Sequence, residues 1–200
     1  MFWRFVLLAA SSSALRLPAV PTALRAAPRA APIKMVAPFI ADTSYNLAAG
    51  SAVLGTICGG LEDIKDGEGK KLLTAPFFGG LAVLLVVFGA FIAFQTTTLR
   101  FTFDDTNFAL VKADGASSGE NVVVGGENKW RYDTFVNYDF LPSESFPILV
   151  YFRETQTPAA NREEVPLVVD TAEGQVHFFP AISNTQQLKE QFAVHGCKKL

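Results

Sequence analysis

The chain has 200 residues, half of them apolar, with 17 Lys/Arg against 19 Asp/Glu. Five of the basic groups (Arg4, Arg16, Arg25, Arg29 and Lys34) fall in the first 34 residues, which hold no acid, so 12 basic groups face 19 acidic ones in the remainder. That balance argues against nucleic acid, whose affinity comes largely from phosphate contacts, and the apolar content argues against a disordered or fibrous chain. The two cysteines, Cys58 and Cys197, stand in unrelated contexts and offer neither a disulfide nor a metal-binding spacing.

Residues 1–14 have an early Arg4, a short apolar core and small residues ending at Ala14, the layout of a signal peptide. Residues 15–35 are basic, rich in Ala and Pro and free of acids, as a transit peptide is. The tandem resembles the bipartite leaders of proteins carried into plastids acquired by secondary endosymbiosis, with Leu15 following the small-residue cleavage site. An ordinary secretory signal followed by a basic linker is the other reading. Either leader stands outside the fold.

Leu72–Phe94 contains no charged residue. As a helix it would be about 35 Å long, enough to cross a hydrocarbon core of about 30 Å. Thr43–Leu61 is also uncharged but richer in small residues. Ser51, Gly55 and Gly59 recur at every fourth position, and Gly89 and Ala93 repeat that spacing in the second segment. Small residues at this spacing let helix backbones approach closely in lipid. Residues 43–94 are therefore expected to form a two-helix transmembrane hairpin. In the polar loop between them, Lys65, Lys70 and Lys71 favour the opposite orientation to the one a hairpin imposes.

From residue 96 the pattern changes to period two. Leu99, Phe101 and Phe103 alternate with polar residues, Asp104–Asn107 is turn chemistry, and Phe108–Ala113 reads as the returning strand. A short strand is expected at Val122–Val124 and a longer one over Lys129–Phe140, with Trp130, Tyr132, Thr134 and Val136 on one side. Leu141–Phe146 is a turn, and Pro147–Thr155, apolar on both faces, is placed centrally in a sheet. Thr157–Glu173 is a polar insertion with a short apolar run at Val165–Val169. A last strand ends near Ile182. A helix follows, capped by Asn184 with Gln187 in a capping-box position and with Leu188, Phe192 and Val194 as its inward positions, before Gly196 ends it. The expected fold is a membrane α-helical hairpin joined to an α+β domain over residues 96–200. That domain would be a small antiparallel pleckstrin-homology-like barrel or sandwich capped by one C-terminal helix.

The wording of KWRYDTFVNYDFLPSESFPILVYFRETQTP, followed by VHFFPAI and QLKEQF, resembles a domain-of-unknown-function family of cyanobacterial and plastid membrane proteins. The resemblance runs from about Leu72 to Phe192. It implies a plastid or thylakoid membrane location and hairpin topology, and brings no enzymatic activity with it. The Thr157–Glu173 insertion and the Ala113–Asn128 loop depart from the compact pattern and are expected to be surface decorations.

No catalytic constellation is visible. His177 and His195 are isolated, Asp133, Asp139 and Glu154 form no evident acid/base pair, and Arg153-Glu154 are expected to make cross-strand ion pairs at the sheet surface. There is no phosphate loop, nucleophile elbow or dinucleotide fingerprint. No catalytic, metal or cofactor site is assigned. What stands out is aromatic density, most of it needed for the core. Any of Trp130, Tyr138 and Phe140 left on the surface beside Lys129 and Arg131 would anchor a protein interface. The expected role is a non-catalytic, thylakoid-anchored interaction protein, an assembly factor or accessory subunit whose partner is a membrane protein complex such as a photosystem or its assembly intermediate. A module that binds membrane lipids is the alternative, for which Lys129 and Arg131 would supply the basic pair.

Overall fold

The computed structural model describes residues 37–121, 125–163 and 169–200. The two leader segments, the strand expected at Val122–Val124 and most of the apolar run Val165–Val169 lie outside the described residues.

Two helices, α1 (Asn46–Glu62) and α2 (Ala75–Thr98), form an antiparallel pair. α2 is long and apolar enough to cross a membrane. Pro76 sits in its first turn, where a missing N–H costs nothing. Gln95–Thr98 are helical too, where sequence periodicity assigns Thr96–Thr98 to the following strand. Within the helix the threonine hydroxyls bond carbonyls one turn back, Thr96 Oγ1 to Ile92 O at 2.8 Å and Thr98 Oγ1 to Phe94 O at 3.0 Å, so they are satisfied without a strand partner. The Arg100 guanidinium donates to Thr96 O at 2.8 Å, placing a cation at the helix C-terminus.

The helices do not simply precede the β domain. A short strand, β1 (Phe39–Ile40), lies before them and pairs antiparallel with β2 (Leu99–Phe103), which follows α2 directly. The helical pair is thus an insertion between two neighbouring strands of one sheet. β3 (Asn107–Lys112) and β4 (Lys129–Arg131) complete this first sheet in the order β1-β2-β3-β4. The second sheet, β5-β6-β7, comprises Phe135–Ser143, Phe146–Glu154 and Gln175–Pro180, with β6 in the centre. α3 (Thr185–Val194) follows. The protein is α+β, with two antiparallel sheets facing each other across the core, and it does not close into a barrel.

The long strand expected over Lys129–Phe140 is two strands in different sheets. Tyr132–Thr134 form a 3-10 turn between them. The Tyr132 hydroxyl donates to Asn107 O at 2.6 Å, and the Thr134 hydroxyl to Arg131 O at 2.7 Å, which fixes the corner where the chain changes sheet. An alternating pattern running through that corner hides it from sequence.

The interior is a stack of rings. Phe108 meets Phe101, Phe103 and Trp130 from its own sheet, Phe135 and Phe152 from the other, and Phe192 from α3. Leu188 and Phe192 point inward, whereas Val194 is exposed. Asn184 Oδ1 accepts from the N–H groups of Gln186 and Gln187, a regular N-cap. The Gln187 side chain does not close the capping box. It clamps Asp42 instead, accepting from Asp42 N at 2.8 Å and donating to Asp42 Oδ2 at 2.7 Å. Ala48 of α1 and Ile92 of α2 belong to the same core cluster as the rings, so the base of the helical pair is packed into the β domain.

Candidate functional site

Trp130, Tyr138 and Phe140 are 2 %, 2 % and 1 % exposed and lie in the ring stack. They form no surface, because two facing sheets this small must fill the space between them with their largest side chains. The basic pair is also engaged. Lys129 bridges to Asp104 at 3.1 Å, and Arg131 pairs with Asp133. Asp104 in turn accepts from the N–H groups of Thr106 and Asn107 in the β2–β3 turn. Burial pushes its carboxyl up, but these bonds and Lys129 outweigh it and hold the pKa at about 2.

Arg153 and Glu154 are buried rather than paired on the sheet surface, and alternation sends them to opposite faces. Arg153 Nε reaches Asp170 Oδ1 at 2.9 Å on the outer face, where Tyr151 and Asn137 also donate to Asp170. Residues near 170 are therefore fastened to the second sheet, which corrects the reading of the whole 157–173 insertion as decoration. Glu154 points inward to His177, Oε1 to Nε2 at 2.9 Å, and accepts from the Thr157 N–H and hydroxyl. Trp130, Phe152 and Phe179 surround the His177 ring. Burial pushes the Glu154 carboxyl up, yet the bonds from His177 and Thr157 prevail and hold it below the ordinary range. Asp133 is not part of this pair, and His195 stacks on Tyr132 at 4.0 Å. Among the described residues no group of His, Cys, Asp and Glu has the arrangement to hold a metal.

The small residues of the helical pair mark its contact line. A Cβ added at Gly55 would meet Val86 Cγ2 at 2.8 Å and Ala82 O at 3.1 Å, and one at Gly89 would meet Ala48 O at 3.0 Å and Ser51 Cβ at 3.3 Å. Gly59 faces Ala82 more loosely, and Ala93 packs against the domain core. At the far end Lys71 bridges Glu62 at 2.8 Å and Asp63 at 3.1 Å, while Lys70 pairs with Glu68. Two of the three loop lysines therefore have acidic partners, which weakens their hold on orientation.

Where the helices meet the domain lies a groove of about 750 Å³. Its helical walls are apolar, with Leu47 and Leu54 from α1 and Leu85 and Phe88 from α2, and the β5–β6 turn supplies Phe146, which is 63 % exposed. Ser44, Asn46, Ser145 and Thr185 put hydroxyls and an amide among the lining residues, and Glu144 joins them, paired to Lys189 and, at 2.8 Å, to Lys199. Ser183 also lines it. It is 1 % exposed, and its Oγ has no hydrogen-bond partner among the described residues. No single segment of sequence signals this site, because its residues come from four separate stretches. The one legible hint is the hydroxyl-rich lead-in to α1.

The family described as protein of unknown function DUF3119 matches residues 40–196. The chain belongs to that family. The DUF3119 match begins in β1 and ends just after α3, so it takes in the helical pair, both sheets and every residue lining the groove. No curated protein and no solved structure matches the chain.

Proposed function

We propose that this DUF3119 protein is a non-catalytic, membrane-anchored interaction protein of the thylakoid, acting as an assembly factor or accessory subunit of a photosynthetic complex. The carrying observation is the way the helical pair is sewn into the β domain. β1 and β2 grip both of its ends, and Ala48 and Ile92 are part of the core. Large apolar side chains on α2, with Val83 and Leu84 each 65 % exposed, suit a lipid surround. A domain joined this way sits flush against the bilayer, and its neighbours are membrane complexes. The leader supports a plastid destination, with the domain on the stromal side. The four- and three-stranded sheets with a C-terminal helix support a pleckstrin-homology-like class. The buried His177–Glu154 pair, packed among rings, supports a structural role for the polar groups that most resemble catalytic ones.

Affinity purification from mildly solubilised thylakoids, with native gels, tests the reading. Co-migration with a photosystem or an assembly intermediate is the expected result. Migration only as a free monomer overturns it.

A further inference from the structure

We propose that the groove beneath the β domain holds one hydrocarbon chain of an uncharged, hydroxyl-bearing glycerolipid, whose polar backbone hydrogen-bonds the accessible polar groups of the lining, the Thr185 hydroxyl among them. The inference rests on the membrane-anchored reading of α2. Two observations support this occupant. The wall made by Leu85 and Phe88 is continuous with the exposed apolar residues Leu84 and Val87 of the same helix, so a chain enters sideways from the bilayer without crossing water. The volume lies within the range of about 300–1,000 Å³ common to small-ligand sites.

The polar lining selects the headgroup. Both lysines near it are neutralised by acids: Lys189 by Glu144, and Lys199 by Glu144 at 2.8 Å and Asp139 at 3.6 Å. The Lys189 and Lys199 hydrogen bonds hold the Glu144 pKa at about 2, so its charge persists at every physiological pH. Among the described residues no Lys or Arg lines the groove to meet a phosphate. The other polar lining groups, the Asn46 amide and the hydroxyls of Ser44, Ser145 and Thr185, suit sugar or glycerol hydroxyls.

The full chain is reconstituted in phosphatidylcholine nanodiscs containing a glycosyl diacylglycerol with a photoreactive acyl chain, or phosphatidylglycerol carrying the same chain. Cross-links to Leu54, Phe88 and Phe146, saturating at one lipid per chain and favouring the glycosyl lipid, are the expected result. Gly50 lines the groove and a Cβ added there meets nothing within 4 Å, so Gly50→Trp has room to leave the backbone, should occupy the groove and should abolish the labelling. Gly60, on the same helix and equally open, does not line the groove, and Gly60→Trp should leave labelling intact. Thr185→Val, which keeps the shape and removes an accessible lining hydroxyl, should lower the preference for the glycosyl lipid about fivefold, the worth of one net hydrogen bond. Labelling spread evenly over α2 and indifferent to Gly50→Trp, a preference for phosphatidylglycerol, or a co-purifying polypeptide cross-linked in the groove each overturns the proposal. Alkaline carbonate extraction separates the two readings. Release of the protein from membranes defeats the anchored reading, whereas retention with an unlabelled groove defeats the lipid site alone.

Discussion

The helical pair and the sheet pair are built inside out relative to each other. In the β domain the rings of Phe101, Phe108 and Phe152 are fully buried, and the charged Arg153 and Glu154 are buried only as paired groups. In the helices the bulky residues Val83, Leu84 and Val87 face outward, while Gly55 and Gly89 make the contact, backbone against side chain or carbonyl. On the membrane-anchored reading proposed above, each half is specified for a different solvent. Water drives apolar surface together in the sheets, whereas lipid gives no such drive and leaves close packing of small residues as the main source of association. The two regimes meet at Ala48, Ile92 and Thr96, which are buried at the seam.

Four variants test that contrast. The largest loss is expected from Phe108→Ala, which removes the ring that every layer of the β core touches and should cost about 3–5 kcal/mol. Denaturant unfolding in detergent should show the sheet signal lost at lower denaturant while helical dichroism from α2 persists. Next comes Gly89→Val. The added atoms would be driven onto Ala48 O, and an overpacked contact of this kind costs about 1–3 kcal/mol. Here the helical pair should loosen first, read as new hydrogen exchange in α1, with the ring stack unchanged. If both variants unfold both halves together, the two-solvent picture fails.

The third variant is Glu154→Gln. Because the folded-state pKa of Glu154 lies below its ordinary value of 4.5, its contribution is fully present at neutral pH and is lost as pH falls through the acid range. Wild type should therefore lose more stability between pH 6 and pH 3 than the variant, which should be weaker by about 1–3 kcal/mol at pH 7. Equal slopes with pH would show that the His177 contact carries no charge-dependent stability. The smallest effect belongs to Lys129→Ala, which breaks an exposed bridge to Asp104 and should change stability by less than about 1 kcal/mol. A larger loss in thermal unfolding would mean that the β2–β3 turn depends on the lysine rather than on its own N–H groups.

What could be read from sequence follows from how local each cause is. α2 is announced by 23 uncharged residues, the Asn184 cap by its position before an amphipathic run, and β2, β3 and β6 by their patterns. The corner at Tyr132–Thr134 is hidden because its alternation continues unbroken into another sheet. β1 is too short to carry a pattern, and its role depends on Phe103, which lies beyond both helices in the chain. Arg153 and Glu154 look like surface charges until their partners, Asp170 and His177, arrive from more distant segments. The groove is of the same kind. Its walls exist only after the helices and the β5–β6 turn have been brought together.

The placement of β1 bears on how the molecule is made. The ribosome delivers this strand first, then both helices, and only afterwards the partner on which it docks. The first sheet therefore cannot acquire its outer edge until the inserted pair has turned back on itself. A nascent chain whose helices stall leaves β2 with a bare flank, open to proteases and to pairing with other strands. Completion of that edge therefore requires that the inserted pair has folded back.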